Sequence, residues 1–218
     1  MMKGLITEKE FQKGEVVGVI RASRFVRNYV QSHKDINVET IKEIHEEIFK
    51  DIWPDIAGKY RKENLKIKHS GLLLPHFSEV PKLMDTLDFE LKNKLEQLEI
   101  SEGIIIGEGD SKSEKAFDEI EKVVRLSAWI HHKITFIHPF REGNGRTARL
   151  TGNLILERFG LVGISVKVEK ENKNRYCNAL SQVDKFEDYE PLVQLISEGL
   201  IDRYNGVELK YYNQSVAS

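Results

Sequence analysis

Apolar residues recur every three or four positions along much of this chain, the period of a helix with one buried face. Val38, Ile41, Ile44, Ile48 and Ile52 form one such run. Trp53-Pro54 stops it, because proline lacks an amide donor and disfavours helix in the residue before it. Val80, Leu83, Met84, Leu87, Leu91, Leu95 and Leu98 predict another helix of about five turns. Gly103, Gly107, Gly109 and Ser111 then mark a connector. Phe117, Ile120, Val124 and Ser127 open a new face leading toward His131. Residues 146–158 hold no proline and only Gly152 to weaken them, so they predict a helix with Leu150, Leu154 and Ile155 on one side. Tyr176, Ala179, Leu180 and Val183 predict a helix, and Leu192, Leu195, Ile196 and Leu200 a last one. A two-residue period stands out only at 65–74, where Leu65 and Ile67 alternate with Lys66 and Lys68 before Gly71. That is the pattern of a short β-hairpin. The expected fold class is mostly α.

Composition narrows the picture only a little. The 218 residues are enough for one sizeable core with a small extension. A formal net charge of −2 gives no reason to expect nucleic acid or an acidic membrane as partner. The single cysteine, Cys177, excludes an intrachain disulfide and suits a reducing compartment. No apolar run approaches the roughly 18–20 residues that span a bilayer. Residues 1–10 lack the apolar segment of a signal peptide, so the expected location is cytoplasmic.

Residues 138–149 concentrate the chemistry: His138, Pro139, Phe140, Arg141, Glu142, Gly143, Asn144, Gly145, Arg146, Thr147, Ala148 and Arg149. A Gly-Asn-Gly turn can aim several backbone N–H groups at one anion, since glycine accepts the positive φ angles required. A helix beginning there adds unpaired N–H groups and a favourable dipole. Arg146 and Arg149, three apart, share a face, and a guanidinium donates paired hydrogen bonds to phosphate. Glu142 beside the turn suits Mg2+, which takes one or two carboxylates together with phosphate oxygens. His138 titrates near neutrality and can take a hydroxyl proton as general base. Phe140 reads as a core anchor for the loop. Together these residues suit transfer of a phosphorus-containing group to a hydroxyl.

The same twelve residues match, at every defined position, the signature of Fic-domain proteins of the Fic/Doc family: His, any, Phe, any, Asp or Glu, Gly-Asn-Gly-Arg, any two, Arg. Upstream, Ile44-His45 and the stretch from Ile48-Phe49-Lys50-Asp51-Ile52-Trp53-Pro54 to Asp55-Ile56-Ala57-Gly58-Lys59-Tyr60-Arg61 resemble the family's first core helix and the turn toward its flap. The resemblance implies a Fic domain over 38–200, an N-terminal extension over 1–37 packing on it, and a tail over 201–218. It implies a Fic-type helical core with a short β-hairpin flap within 66–77, along which a target protein docks by strand addition.

The activity implied is protein AMP-transfer: AMP passes from ATP, with Mg2+, to a Ser, Thr or Tyr hydroxyl of the target, and pyrophosphate leaves. By matching positions His138 is the base and Glu142 the Mg2+ ligand. Gly143, Asn144 and Gly145 form the anion hole, and Arg146 and Arg149 hold the nucleotide phosphates. Tyr176 sits where the family's base pocket is often closed, although core packing explains it equally well. Alternatives are transfer of UMP, phosphate or phosphocholine, removal of AMP, or a non-catalytic nucleotide-dependent interaction module.

Rival signals are weaker. Gly107-Glu108-Gly109-Asp110-Ser111-Lys112-Ser113 lacks the Gly-Lys-Ser/Thr ending of a phosphate loop and reads as a connector. His131 and His132 point about 100° apart on a helix, with no cysteine or HExxH pattern beside them, so packing beneath the loop or facing water is expected rather than zinc. Many Fic proteins also carry an inhibitory helix, Ser or Thr, three residues, Glu, then Gly or Asn, whose glutamate pairs with the second signature arginine, here Arg149. The nearest upstream segment, Ser23-Arg24-Phe25-Val26-Arg27-Asn28, has Arg27 where Glu is needed. A positive side chain repels Arg149. No clamp of that type is expected in this chain; a trans-acting antitoxin-like partner supplies one, or control differs.

Overall fold

The computed structural model describes residues 7–32, 35–67, 72–98, 114–165 and 171–205. Its helices are α1 (Glu8–Ser32), α2 (Val38–Phe49), α3 (Val80–Gln97), α4 (Glu114–Ile137), α5 (Asn144–Arg158), α6 (Glu171–Phe186) and α7 (Glu190–Tyr204). A 3-10 turn, Phe77–Glu79, leads into α3. The mostly α expectation holds.

The helices fall into two compact units. The first contains α1, α2, α3, α4 from Ile130 onward and α5 up to Leu154. Its core holds the fully buried Ile41, Ile44, Ile48, Phe49, Met84, Leu87, Ile134 and Phe140. α2 starts where its pattern predicts: the Asn37 carboxamide accepts from the Thr40 amide at 3.1 Å, and the Thr40 hydroxyl accepts from the Asn37 amide. That reciprocal cap satisfies two otherwise orphaned donors. The second unit contains α4 up to Trp129, α5 from Ile155, α6 and α7. There α6 and α7 are tied by Arg175, whose guanidinium forks onto both oxygens of Glu198 at 2.5 and 2.6 Å.

Two findings depart from the sequence pattern. The first is α1, which carries no strong hydrophobic stripe. Its buried residues are Gly18, Ala22 and Val26, whereas Val16, Val17 and Ile20 face solvent. A small-residue face buries little area per side chain and escapes periodicity. It instead lets two helices approach closely: a Cβ on Gly18 would stand 2.0 Å from the Ile48 carbonyl oxygen of α2. Arg21 of α1 fastens the contact, donating to the Glu47 carbonyl and pairing with Glu47 and Asp51.

The second is the hairpin. Residues 68–71 lie outside the described residues, and 64–67 and 72–76 on either side carry no strand. Among the described residues the extended pairing is a single antiparallel bridge, Tyr60 to Phe140, beside which the Arg61 amide donates to the Pro139 carbonyl at 2.8 Å. Backbone near 60 is thus paired with the signature loop. Residues 99–113, with the Gly107–Ser113 connector, also lie outside the described residues.

Candidate active site

The first unit folds residues 138–143 into a turn between α4 and α5, and 144–149 are the opening of α5. α4 ends at Ile137, and His138 follows with φ of 52°, its amide still donating to the Ile134 carbonyl at 2.9 Å. Helices usually leave through glycine in this left-handed conformation. A side chain there costs about 1–2 kcal/mol, tolerated when the surroundings over-determine it. They do so here. Arg61 donates to the His138 carbonyl at 2.8 Å, and Phe140 is wholly buried against His45 and Tyr60.

The histidine's protonation follows from its partners. Its Nδ1 lies 3.1 Å from the Thr135 carbonyl oxygen, which can only accept, so Nδ1 carries the proton. Nε2 is left with its lone pair. Burial chiefly, with Arg61 adding to it, holds the imidazole below its usual pKa against the opposing Thr135 bond. A neutral ring with Nε2 free is what a general base requires.

The turn itself is closed by Asn144. Its carboxamide accepts from the Phe140 amide at 2.9 Å and donates back to the Phe140 carbonyl at 2.8 Å, both buried. Gly143 has φ of 78°, and a Cβ there would stand 2.4 Å from the Phe49 ring. Backbone and space both demand glycine. Gly145 differs, since a Cβ there would meet nothing nearer than the Arg149 guanidinium at 3.5 Å. Its small size leaves room on the open side of the turn. α5 begins at Asn144, and the first main-chain bond back to the turn is from the Thr147 amide to Gly143 at 2.9 Å. The amides of Asn144, Gly145 and Arg146 are therefore the orphan donors of a helix N-terminus. They border a cleft of about 270 Å³ whose lining all comes from residues 138–149, including His138, Glu142, Gly145, Arg146 and Arg149.

The charged residues around this cleft are not equally engaged. The Arg149 guanidinium makes no ion pair or hydrogen bond with the described residues and acts electrostatically on buried His131. Burial, with Arg149 next in effect, drives the pKa of His131 down to about 3. His132 is buried too. Arg146 is held by two acids, Glu142 at 3.2 Å and Glu15 of α1, while stacking over Phe49. Glu142 also accepts from the Gly143 amide through Oε1 at 3.0 Å, yet its side chain is 54 % exposed. No group of three or more His, Cys, Asp or Glu side chains placed to hold a metal ion occurs among the described residues. A half-exposed carboxylate beside an anion cradle still fits Mg2+, which draws its remaining ligands from phosphate and water.

Beneath the loop sits His45, fully buried and stacked on Phe140 with ring centroids 3.9 Å apart. The Gly58 amide donates to its Nδ1 at 3.0 Å, so Nε2 carries the proton and donates to the Glu142 carbonyl at 3.0 Å. Burial pushes its pKa down to about 4. His45, Arg61, Thr135 and Glu15 escaped the sequence reading. His45 and Arg61 fall in the upstream stretch of the resemblance, but nothing in their spacing marks them as facing the loop. Glu15 precedes Val16 rather than Gly or Asn, so no inhibitory motif flags it. Tyr176 is buried on α6 of the second unit.

The site's relatives are specific. The model of the Fic/DOC family matches residues 35–156, more than half of the 218-residue chain. Protein adenylyltransferase fic-1 of Caenorhabditis briggsae is 30% identical over 200 residues, 89% of this chain and 34% of that protein. The chain thus spans about a third of the length of that curated relative. Among solved structures, a fragment of Fic-1 from C. elegans aligns with a TM-score of 0.62 at 24% identity, covering 97% of this chain and 56% of that one. The BepC effector of Bartonella tribocorum, solved with bound AMPPNP, gives 0.64 at 15% identity, covering 91% and 90%. At such identities these two structures speak for the fold.

Proposed function

The chain belongs to the Fic/DOC family, and from that premise we propose that it transfers AMP from ATP to a Ser, Thr or Tyr hydroxyl of a target protein, releasing pyrophosphate. One observation carries the reading: a neutral histidine with Nε2 free opens on the same cleft as the unpaired first turn of α5. The hydroxyl oxygen attacks the α-phosphorus and gives its proton to His138 Nε2. The bond from the α-phosphorus to the bridging oxygen breaks, and that oxygen leaves with pyrophosphate.

Each residue has a derivable part. The amides of Asn144, Gly145 and Arg146 receive phosphate oxygens, with Arg149 free to fork onto them. Arg146 joins by exchanging its acidic partners for phosphate. Glu142 would hold Mg2+, which when bound would supply charge neutralisation for the phosphates. The target docks along residues 66–77, where Leu73 is 91 % exposed and offers an apolar contact; a flap hairpin formed there aligns the acceptor by strand addition. An antitoxin-like partner in trans remains the proposed source of a clamp on Arg149. Glu15 already supplies, within the chain, an acid to Arg146. Cys177, exposed on α6, fits a reducing compartment such as the cytoplasm; no described helix is long and apolar enough to cross a membrane.

Labelled ATP in cell lysate tests the reading. Labelled protein bands are expected with the wild-type chain and are lost with His138→Ala, by about 100-fold or more. Equal labelling by both would overturn the role of His138, and a panel of labelled UTP, phosphate and phosphocholine donors would expose a different transferred group.

A further inference from the structure

Arg61 is an unusual buried cation. It is 4 % exposed, yet no acid pairs with it among the described residues. Isolated buried charge is expensive unless hydrogen bonds replace water, and a guanidinium normally meets a carboxylate when buried. Here three carbonyls do the work. Nε donates to His138 at 2.8 Å, Nη1 to Glu63 at 3.0 Å and Nη2 to Pro75 at 2.7 Å. Its own amide takes the Pro139 carbonyl at 2.8 Å. One residue therefore fixes two successive carbonyls of the signature loop and one from each stretch around residues 63 and 75.

The choice of partners is informative. A carboxylate would neutralise the guanidinium, whereas carbonyls leave its full charge beside the imidazole. The His138 carbonyl that it grips belongs to the residue with positive φ, the point of the loop most in need of restraint. From this geometry we infer that Arg61 is a positioning residue for the transfer, setting the His138 imidazole against the stretch on which the acceptor docks. The inference rests on the transferase reading of the site. Arg61 does not itself line the cleft and meets its lining only at the His138 carbonyl, so its effect passes through the backbone of His138. Lysine keeps the charge but has a single ammonium, which cannot span carbonyls in three directions.

The test compares Arg61→Lys and Arg61→Gln with the wild type. Labelled ATP is varied over fixed lysate, ATP–Mg2+ binding is measured by calorimetry, and the histidine rings are followed by NMR. The maximal transfer rate should fall about 100-fold, the loss typical of a misplaced catalytic group. ATP affinity and the apparent KM for ATP should stay within about threefold, since the cradle is untouched. The His138 ring signal should move in both variants. An unchanged rate, or a rate that falls only in proportion to ATP affinity and melting temperature, would reduce Arg61 to a structural tie and overturn the inference. His138→Ala run alongside separates the two readings: if it labels like wild type, the transferase reading fails. The ring signal still judges Arg61 in that case, because it needs no turnover; an unmoved signal rejects the positioning role.

Discussion

The two ends of the signature loop are held by different kinds of partner. At the base end, His138 through Phe140, the main chain is bonded inside the protein: to Ile134, to Arg61 twice, and to the Asn144 carboxamide. At the phosphate end, Glu142 through Arg149, the groups that face the cleft, the first amides of α5 and the Arg146 and Arg149 guanidiniums, meet either partly exposed acids or no partner among the described residues. A buried internal bond is costly to exchange, while an acid at the surface is readily displaced. The base is thus set before any ligand arrives, whereas the cradle keeps its donors and cations available for one. Preorganised catalysis needs the first property and anion binding the second.

Breaking the turn that joins the two ends should have the largest effect. Gly143→Ala forces a side chain into positive φ and onto the buried Phe49 ring, and should cost about 3 kcal/mol or more, read as a lower melting temperature. Gly145→Ala, whose Cβ would make only an ordinary contact with the Arg149 guanidinium at 3.5 Å, should leave melting unchanged and weaken ATP binding instead.

Acid should loosen the base end. His45, pressed against Phe140, has its folded pKa lowered to about 4, and His131 to about 3, against about 6.5 unfolded. A depressed folded value means the unfolded chain binds the extra protons, so stability is full above pH ~6.5 and is lost progressively as pH falls toward about 4. Denaturant titrations across that window should show a loss on the order of 3 kcal/mol from His45 alone. His45→Phe should keep the ring stack and flatten part of the pH dependence.

At the open end the effects are smaller and fall on binding. Arg149→Ala should weaken ATP binding about tenfold, the worth of one charge-assisted contact. Arg141→Ala should change it less than about twofold, since Arg141 pairs with Glu63 and lies over Trp53. Glu15→Gln should strengthen ATP binding by up to about fivefold by releasing Arg146 from a partly exposed pair. Unchanged binding would mean that Glu15 does not compete with phosphate.

The sequence made these two ends unequally legible. Helix period located α2 through α7 because their buried faces recur at helical spacing, although Phe117, read as part of the α4 face, is exposed. α1 hid because Gly18 and Ala22 contribute closeness rather than apolar area. The expected hairpin was read from four alternating residues, and its described flanks pair with nothing as strands. Within the site, the phosphate end is contiguous in sequence, so spacing alone assembled it. The base end is completed by His45, stacked on Phe140, and Arg61, bonded to the His138 carbonyl, both distant in sequence. Local pattern carries no signal for such pairs. Nor could residue type show that the Asn144 side chain, besides its amide, closes the turn.

The most direct measurement is a crystal structure with Mg2+ and a non-hydrolysable ATP analogue. Phosphate oxygens should lie on the amides of Asn144, Gly145 and Arg146, with Arg149 engaged, Arg146 turned from Glu15, and the 138–140 backbone unmoved. Phosphates bound away from those amides, or a His138 Nε2 facing the protein interior, would contradict the account.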